Sequence, residues 1–299
     1  MEETEYIWMD GDFVPWKEAR VHVLSHTLHY GMGVFEGIRF YETEKGPAIF
    51  RLQDHTTRLF SGARDAFLEI PYSQEEINQA IIYTVRKNQI KSGYVRPLAF
   101  FGYGKMGLNP RGAPTNVAIA VWPWGAYLGD GEVRVKTSHF MRIHPASTLV
   151  EAKICGHYVN SIFASCEAKD SGYDEALLLD DRGYVAEGPG ENIFIIKNES
   201  LLTPTVRSIL QGITRKSVME IAVNENLDVQ EKDLKVQDVY DANEAFFTGT
   251  AAEITAITSV DDNVIGNGTI GPITRQLKNV FMNATHGRDE RYRDWLTIV

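Results

Sequence analysis

A glycine-rich segment divides this chain into two parts. Three of the seven residues from Gly125 to Gly131 are glycine, and apolar, strand-like runs end before the segment and begin after it. Glycine enters backbone conformations that other residues avoid, so such a cluster interrupts regular structure. The sequence therefore predicts an interdomain linker over residues 125–132, a small N-terminal domain over 1–124 and a larger C-terminal domain over 133–299. A chain of 299 residues is long enough for two domains with separate cores.

Both predicted domains mix strands with helices. Short apolar runs between turn signals predict strands at 6–9, 13–14, 38–41, 48–50, 94–101, 117–122, 133–136, 245–248 and 254–260, and hairpins over 175–185 and 193–202. Apolar residues three or four apart predict helices at 54–67, 157–169 and 273–284, with a further helix beginning at Gly212. Ser73 and Glu76 form a capping-box pattern before a helix that ends near Asn88. We therefore predict an α+β fold for each domain.

Composition and charge exclude several classes of protein. Apolar residues make up 43% of the chain and charged residues 23%, as in ordinary globular proteins. The net charge of −10 argues against a nucleic-acid partner, because nucleic acids bind basic surfaces. No apolar run approaches the roughly 20 residues of a membrane span, and three of the first five residues are glutamate, unlike a signal or transit peptide. With only two cysteines, Cys155 and Cys166, we expect reduced thiols and a cytoplasmic protein.

Six short segments carry the residues with the most distinctive chemistry. They are HTTRL at 55–59, YVRP at 94–97, EAKICGHY at 151–158, EGPGEN at 187–192, QGITR at 211–215 and GTAAE at 249–253. Lys153 supplies an amine among small or apolar neighbours, and Glu187 supplies a carboxylate before a Gly-Pro-Gly turn. Arg58, the helix start at Gly212 and the Thr250 hydroxyl supply donors for a phosphate. An imine-forming amine, a carboxylate for a ring nitrogen and phosphate anchors are the groups that hold pyridoxal 5'-phosphate (PLP).

From about Tyr6 to the last helix, these motifs resemble the fold-type IV PLP-dependent aminotransferases, and specifically the branched-chain amino acid aminotransferases. The resemblance implies a two-domain α+β enzyme with PLP in the interdomain cleft. It implies ping-pong transamination of leucine, isoleucine and valine with 2-oxoglutarate. It also implies a homo-oligomer, at least a dimer with shared active sites and possibly a trimer of dimers.

The resemblance assigns a role to each matching residue. Lys153 would form the internal aldimine and move the substrate proton, and Glu187 would hold the pyridine nitrogen in its protonated form. The other cofactor-binding residues would be Arg58, Tyr158, Ile213, Thr214 and Thr250. The substrate-binding residues would be Phe35, Gly37, Tyr94, Arg96, Trp124, Tyr127 and Ala251, with Tyr30 and Leu108 reaching in from a second subunit.

Other interpretations are weaker. A D-amino acid aminotransferase or an aminodeoxychorismate lyase would share the fold, but YVRP and GTAAE favour the branched-chain interpretation. A metal-dependent hydrolase would need ligands such as His22, His26 and His29, and no carboxylate lies among them, so we expect no metal. The pattern Gly-x-Gly-x-x-Gly at 102–107 is followed by prolines that forbid the helix of a dinucleotide site. His157, where the family has Asn, leaves the pH optimum and the substrate range open.

Overall fold

A computed structural model of the protein describes residues 2–125, 128 and 131–299. The chain forms two compact units. Unit 1 comprises Met1–Gly125, Ala152–His157 and Asn283–Val299, and unit 2 comprises Ala126–Glu151 and Tyr158–Met282. The sequence predicted two continuous domains, 1–124 and 133–299. The structure differs, because residues 152–157 and 283–299 belong to unit 1. Within the predicted linker at 125–132, residues 126, 127, 129 and 130 lie outside the described residues.

Unit 1 is built on an eight-stranded sheet. Its strands are β1 Tyr6–Met9, β2 Asp12–Pro15, β3 Gly33–Phe35, β4 Ile38–Thr43, β5 Gly46–Phe50, β6 Gly93–Phe101, β7 Thr115–Trp122 and β17 Leu296–Ile298. The strand order is β17-β5-β4-β6-β7-β1-β2, and β3 pairs with β6. The strands predicted at 6–9, 13–14, 38–41 and 48–50 are confirmed, and they form the antiparallel pairs β1–β2 and β4–β5. Strand β17 was not predicted; it joins the sheet by pairing antiparallel with β5, which draws the C-terminal segment into unit 1.

The helices of unit 1 pack against this sheet, and the two longer ones share the hydrophobic core of one face. They are α1 His26–Tyr30, α2 Leu52–Asp65 and α3 Gln74–Asn88. The predicted capping box is confirmed, because Ser73 accepts from the Glu76 N–H and the Glu76 carboxylate accepts from the Ser73 N–H. Leu59 and Ala63 of α2 face the core, whereas Phe67, the last residue of the helix predicted at 54–67, lies beyond the end of α2 and is exposed. Alternate residues of β6 and β7, such as Val95 and Val121, pack with the helices, so their neighbours in sequence point to the opposite face.

Unit 2 is built on a nine-stranded sheet that closes on itself. Its strands are β8 Glu132–Thr137, β9 Glu175–Leu179, β10 Val185–Glu187, β11 Asn192–Lys197, β12 Ser200–Thr203, β13 Asp228–Glu231, β14 Glu244–Gly249, β15 Glu253–Val260 and β16 Asn263–Val264. The order is β10-β9-β8-β15-β14-β11-β12-β13, and β10 also pairs with β11. Six strands, from β10 round to β11, therefore form a ring, which is joined where Glu187 pairs with Asn192.

The helices α4 Tyr158–Asp170, α5 Ile213–Asn224 and α6 Val236–Tyr240 belong to unit 2, and α7 Pro272–Thr285 begins there. Three 3-10 segments lie at Trp16–Glu18, Cys155–His157 and Glu290–Trp295. The predicted helices α4, α5 and α7 are confirmed, and so is the α+β class. Among the described residues, no helix has both the length and the apolar character needed to cross a membrane.

Candidate active site

Lys153 belongs to unit 1 because its segment pairs with β3. The Phe35 N–H donates to the Lys153 carbonyl at 3.1 Å, and Val34 forms an antiparallel bridge with Ile154. The backbones come close next to this bridge, where the Gly156 N–H donates to the Gly31 carbonyl at 3.0 Å. Gly31 has a φ of 69°, and a Cβ at this position would lie 2.8 Å from the Gly156 Cα. The close approach therefore requires glycine at position 31, and it sets the position of the lysine.

The Lys153 side chain is half-buried beside an aromatic ring. Its Nζ lies 4.9 Å from the centroid of Phe35. Burial raises the pKa of the neighbouring Cys155 thiol, although the charges of Arg96 and Lys153 act in the opposite direction. A thiol with a raised pKa is poorly nucleophilic at neutral pH, which disfavours Cys155 as a nucleophile.

A buried ionic cluster lies behind the proposed phosphate anchor Arg58. Glu36 is fully buried, and it accepts from Arg58 Nε at 2.6 Å and from Arg58 Nη2 at 2.9 Å. The Glu36 carboxylate also bonds His55 Nδ1 at 2.7 Å. Burial acts to raise the pKa of Glu36, but the Arg58 and His55 partners together outweigh it and hold that pKa far below its usual range. Burial lowers the pKa of His55, which favours the neutral imidazole, so Arg58 and Glu36 form the charged pair.

Aromatic side chains and Arg96 occupy the sheet face opposite the helices. Tyr94 and Arg96 alternate along β6, and Tyr94 lies opposite Trp122 of β7. The Arg96 guanidinium lies 4.7 Å from the Phe35 ring centroid, 5.4 Å from Tyr94 and 5.8 Å from Trp122. No carboxylate among the described residues forms an ion pair with Arg96, and its Nε is buried without a hydrogen-bond partner there. The arrangement leaves a cation in an apolar, aromatic setting.

Two further predicted substrate residues support this aromatic group. Trp124 packs on Tyr94 with ring centroids 4.5 Å apart. A Cβ at Gly37 would lie 1.7 Å from the Tyr94 hydroxyl oxygen, so a larger residue at that position would displace the tyrosine ring. Arg39, opposite Tyr94 on β4, donates through Nη2 to the Gly125 carbonyl at 2.6 Å. Tyr127, also predicted to bind substrate, lies outside the described residues.

Glu187 of unit 2 lies at the join of the strand ring and is 4% exposed. Its Oε1 accepts from Arg142 Nε at 2.5 Å, and its Oε2 accepts from Asn192 Nδ2 at 2.9 Å. The Leu210 N–H contributes bonds of 3.1 and 3.3 Å to the two oxygens. Donors of this kind favour the ionised form, so this carboxylate is fixed in orientation and charged. Glu187 is therefore not an ordinary solvent-exposed turn carboxylate.

The predicted phosphate residues of unit 2 lie at a helix start and in a turn. Ile213 and Thr214 open α5, a helix of 12 residues whose N-cap residue Gly212 supplies no side-chain acceptor. The first-turn N–H groups of such a helix attract anions. A Cβ at Gly212 would clash with the side chain of Asn192. The start of α5 therefore lies against the same asparagine that donates to Glu187. Thr250 and Ala251 lie in the turn between β14 and β15.

The remaining predicted site residues lie at or near the surface. Tyr158, the first residue of α4, is half-buried in unit 2. Tyr30 ends α1 with 41% of its surface exposed, and Leu108 is 88% exposed in the loop after β6.

The histidines of the metal alternative are engaged with the backbone. His26 Nε2 bonds the Gly107 carbonyl at 2.8 Å, His29 Nε2 bonds the Val23 carbonyl at 3.0 Å, and the Leu24 N–H donates to His22 Nδ1 at 3.1 Å. Over the described ranges, no group of three His, Cys, Asp or Glu residues is arranged to hold a metal ion.

Known proteins with the same fold and motifs define the class of this chain. Residues 33–260 match the family model described as amino-transferase class IV. The chain therefore belongs to the class IV aminotransferase family. It is 48% identical over 297 residues to the branched-chain-amino-acid aminotransferase of Pseudomonas aeruginosa, covering 98% of this chain and 97% of the relative.

Solved structures agree with this assignment. The branched-chain aminotransferase of the archaeon Thermoproteus uzoniensis with norvaline superposes with a TM-score of 0.95 at 42% identity, covering 99% of each chain. The branched-chain amino acid aminotransferase of Thermobaculum terrenum in its PLP form gives a TM-score of 0.93 at 36% identity, with the same coverage. The resemblance predicted from the motifs is confirmed.

The sequence interpretation missed Glu36, His55, Trp122 and Arg142. Glu36 follows Phe35 in the sequence, and Trp122 lies opposite Tyr94 in the sheet, so both could have been found from the strand pattern. His55 stands three residues before Arg58, on the same helix face. Arg142 lies in an irregular segment, and it had no local signal.

Proposed function

We propose that this protein is a PLP-dependent aminotransferase that transfers the amino group of branched-chain L-amino acids to 2-oxoglutarate by a ping-pong reaction. The observation that carries the proposal is the buried, ionised Glu187 in a chain of this family whose Lys153 stands beside an aromatic ring. The names of the relatives and the ligands of the solved structures support the substrate class and the cofactor.

The residues of the chain fit PLP in three respects. Lys153 offers an amine for an imine linkage, and Phe35 offers a flat apolar surface beside it. Glu187 is a fixed carboxylate suited to a protonated ring nitrogen. The uncapped start of α5 offers N–H groups to a phosphate, and Thr214 and Thr250 add hydroxyl groups. Arg58, oriented by Glu36, brings the positive charge of the phosphate site.

Bound PLP supplies an electron sink for the electrons released at the substrate Cα. Lys153 would move the proton between the substrate Cα and C4′ of the cofactor within each half-reaction, so its amine must be unprotonated when the substrate is in place. Glu187 would keep a proton at the ring nitrogen, and Tyr158 would donate a hydrogen bond to the phenolic oxygen. In this proposal Arg58, Ile213, Thr214 and Thr250 hold the phosphate and do not take part in proton transfer.

Aromatic packing around Arg96 suits two kinds of substrate. Phe35, Tyr94 and Trp124 present apolar surface to an aliphatic side chain. Glutamate would bring a second carboxylate, and leaving that charge unpaired in an apolar site would cost several kcal/mol, so a cation must be available. Arg96 is that cation in our proposal, and its aromatic neighbours stabilise the guanidinium when an aliphatic substrate is bound. Gly37, Ala251 and Tyr127 complete the proposed substrate-binding set.

The active unit is proposed to be a homodimer. Tyr30 and Leu108 are exposed, and so are the apolar side chains of Val23 and Leu28 in the same region of unit 1. In our proposal Tyr30 and Leu108 enter the active site of a second copy. Mixing a Lys153→Ala protein with a Tyr30→Ala protein should then restore activity through hybrid dimers, and a fully active monomer would refute the shared site. Assembly into a trimer of dimers and a cytoplasmic location stay predictions.

A donor panel tests the proposed reaction against its rivals. The purified protein, loaded with PLP, is given L-leucine, L-isoleucine, L-valine, L-glutamate and their D-enantiomers, and the change in cofactor absorbance is followed in single half-reactions. We expect rapid conversion with the L-enantiomers. Conversion with D-amino acids alone would favour a D-amino acid aminotransferase, and pyruvate release from aminodeoxychorismate would favour the lyase. Activity lost on metal chelation would favour the hydrolase.

A further inference from the structure

Arg142 is a buried cation that the proposed reaction does not yet use. It lies in the irregular segment between β8 and α4, and its backbone N–H donates to the Leu179 carbonyl at 2.8 Å. The residue is 8% exposed, and its Nε donates to Glu187 Oε1 at 2.5 Å. Its Nη1 is buried without a hydrogen-bond partner among the described residues. Burying a guanidinium with an unsatisfied donor is costly, so a purely structural role accounts poorly for it.

The donors around Glu187 differ in charge. Asn192 Nδ2 at 2.9 Å and the Leu210 N–H at 3.1 Å are neutral groups, and they fix the plane of the carboxylate. Arg142 donates to Oε1 of the same carboxylate and so also fixes its orientation, but it adds a full positive charge in a buried site. Charges in such a setting interact several times more strongly than charges in bulk water. The pair therefore favours the ionised carboxylate much more than the neutral donors alone would.

We propose that Arg142 is a positioning residue that keeps the shared proton on the ring nitrogen of PLP instead of on Glu187. This inference rests on the proposed function. A carboxylate and a pyridine nitrogen that share one proton can exist as an ion pair or as two neutral groups. Coulomb energy falls with distance, so a cation bonded directly to the carboxylate stabilises its negative charge more than it repels a positive charge beyond it. Arg142 thus shifts the balance toward the ion pair.

The consequence for the reaction is electronic. A protonated ring draws electrons from the substrate Cα better than a neutral one, so Lys153 removes the proton more easily. Loss of the Arg142 charge should lower kcat more than it lowers the affinity for PLP, which depends on Arg58, Thr214 and Thr250. A shift of one pKa unit changes a protonation equilibrium about tenfold. If loss of Arg142 shifts the shared proton by about this much, kcat should fall roughly tenfold.

The protonation state can be measured directly. Wild-type protein and the variants Arg142→Gln and Arg142→Lys are loaded with PLP that carries ¹⁵N in the ring, and the ¹⁵N chemical shift is recorded by NMR. We expect the wild-type shift of a protonated nitrogen, a displacement toward the unprotonated value in Arg142→Gln, and a wild-type shift in Arg142→Lys, which retains the charge. Arg134→Gln is the matched control, because Arg134 is an exposed arginine of unit 2 paired with Asp174.

Three outcomes would overturn the inference. The first is an unchanged ¹⁵N shift in Arg142→Gln, and the second is an unprotonated ring nitrogen in the wild-type holoenzyme. The third is an unprotonated nitrogen in a folded Arg142→Lys variant, and this arm decides the matter if Arg142→Gln fails to fold. Failure of the proposed function is a separate result, since it would appear as wild-type protein that binds no PLP or transfers no amino group.

Discussion

Replacing Glu36 with Gln should destabilise unit 1 strongly, although Gln has nearly the same size. The carboxylate is fully buried and bonded to Arg58 at 2.6 and 2.9 Å and to His55 at 2.7 Å. Removing one member of a buried ion pair typically costs about 3–5 kcal/mol, because the other charge stays buried without compensation. The Arg58 side chain retains 16% exposure, so we expect the lower end, a loss of about 3 kcal/mol.

The same cluster predicts how the difference in stability between wild type and Glu36→Gln changes with pH. The pKa of Glu36 is far below its usual value in the folded protein, so its stabilisation is complete above the unfolded pKa and is lost as the pH falls through the folded pKa. The pKa of His55 is also lowered, by burial, so protonation of His55 destabilises the fold below about pH 6.5. Wild type should thus lose stability in acid in two stages. The advantage of wild type over Glu36→Gln should be constant near neutrality and shrink below about pH 4.

Urea unfolding of wild type, Glu36→Gln and Glu42→Gln between about pH 3 and about pH 8 measures these effects. Glu42 is the control, because it lies on the same strand β4 and pairs with Lys91 at 3.0 Å, but on the surface. An exposed pair of this kind contributes about 0.5 kcal/mol or less. Equal losses in the two variants would refute the reasoning. A difference between wild type and Glu36→Gln that persists unchanged in acid would refute it as well.

Four other changes give distinct readouts. Lys153→Ala should leave less than about one hundredth of the transamination rate while preserving the circular dichroism spectrum, and a higher residual rate would remove Lys153 as the proton carrier. Arg58→Ala should weaken PLP binding about 10- to 100-fold in equilibrium dialysis, as expected for a lost charged hydrogen bond. Arg96→Met should raise KM for glutamate and 2-oxoglutarate by a factor that corresponds to about 1.5–3 kcal/mol of lost binding free energy, and it should change the leucine half-reaction much less. Equal effects on both half-reactions would make Arg96 structural or a ligand of the α-carboxylate. Glu244→Ala should cost about 2 kcal/mol in urea unfolding, because Glu244 accepts from the Ile273 and Thr274 N–H groups at the start of α7.

Local chemistry in the sequence determined most of the elements. The capping box of Ser73 and Glu76 depends on residues three apart, and the hairpin at Asp10 and Gly11 depends on two turn residues, so both could be predicted without tertiary information. The start of α5 after Gly212 could be predicted for the same reason. The motif at 187–192 also pointed to a functional carboxylate, because its glycines and proline exclude a regular element across the turn.

The surroundings of the site residues were decided by the tertiary structure. Lys153 follows the glycine-rich segment by more than twenty residues, yet it joins unit 1 because its backbone pairs with β3. Glu187 is ionised and fixed because Arg142, 45 residues earlier, reaches it. The sequence determined which chemical groups this protein has, since those groups belong to single residues and short motifs. Only the fold decided their partners, burial and charge, because pairing between strands and desolvation depend on residues far apart in the chain, which no local pattern records.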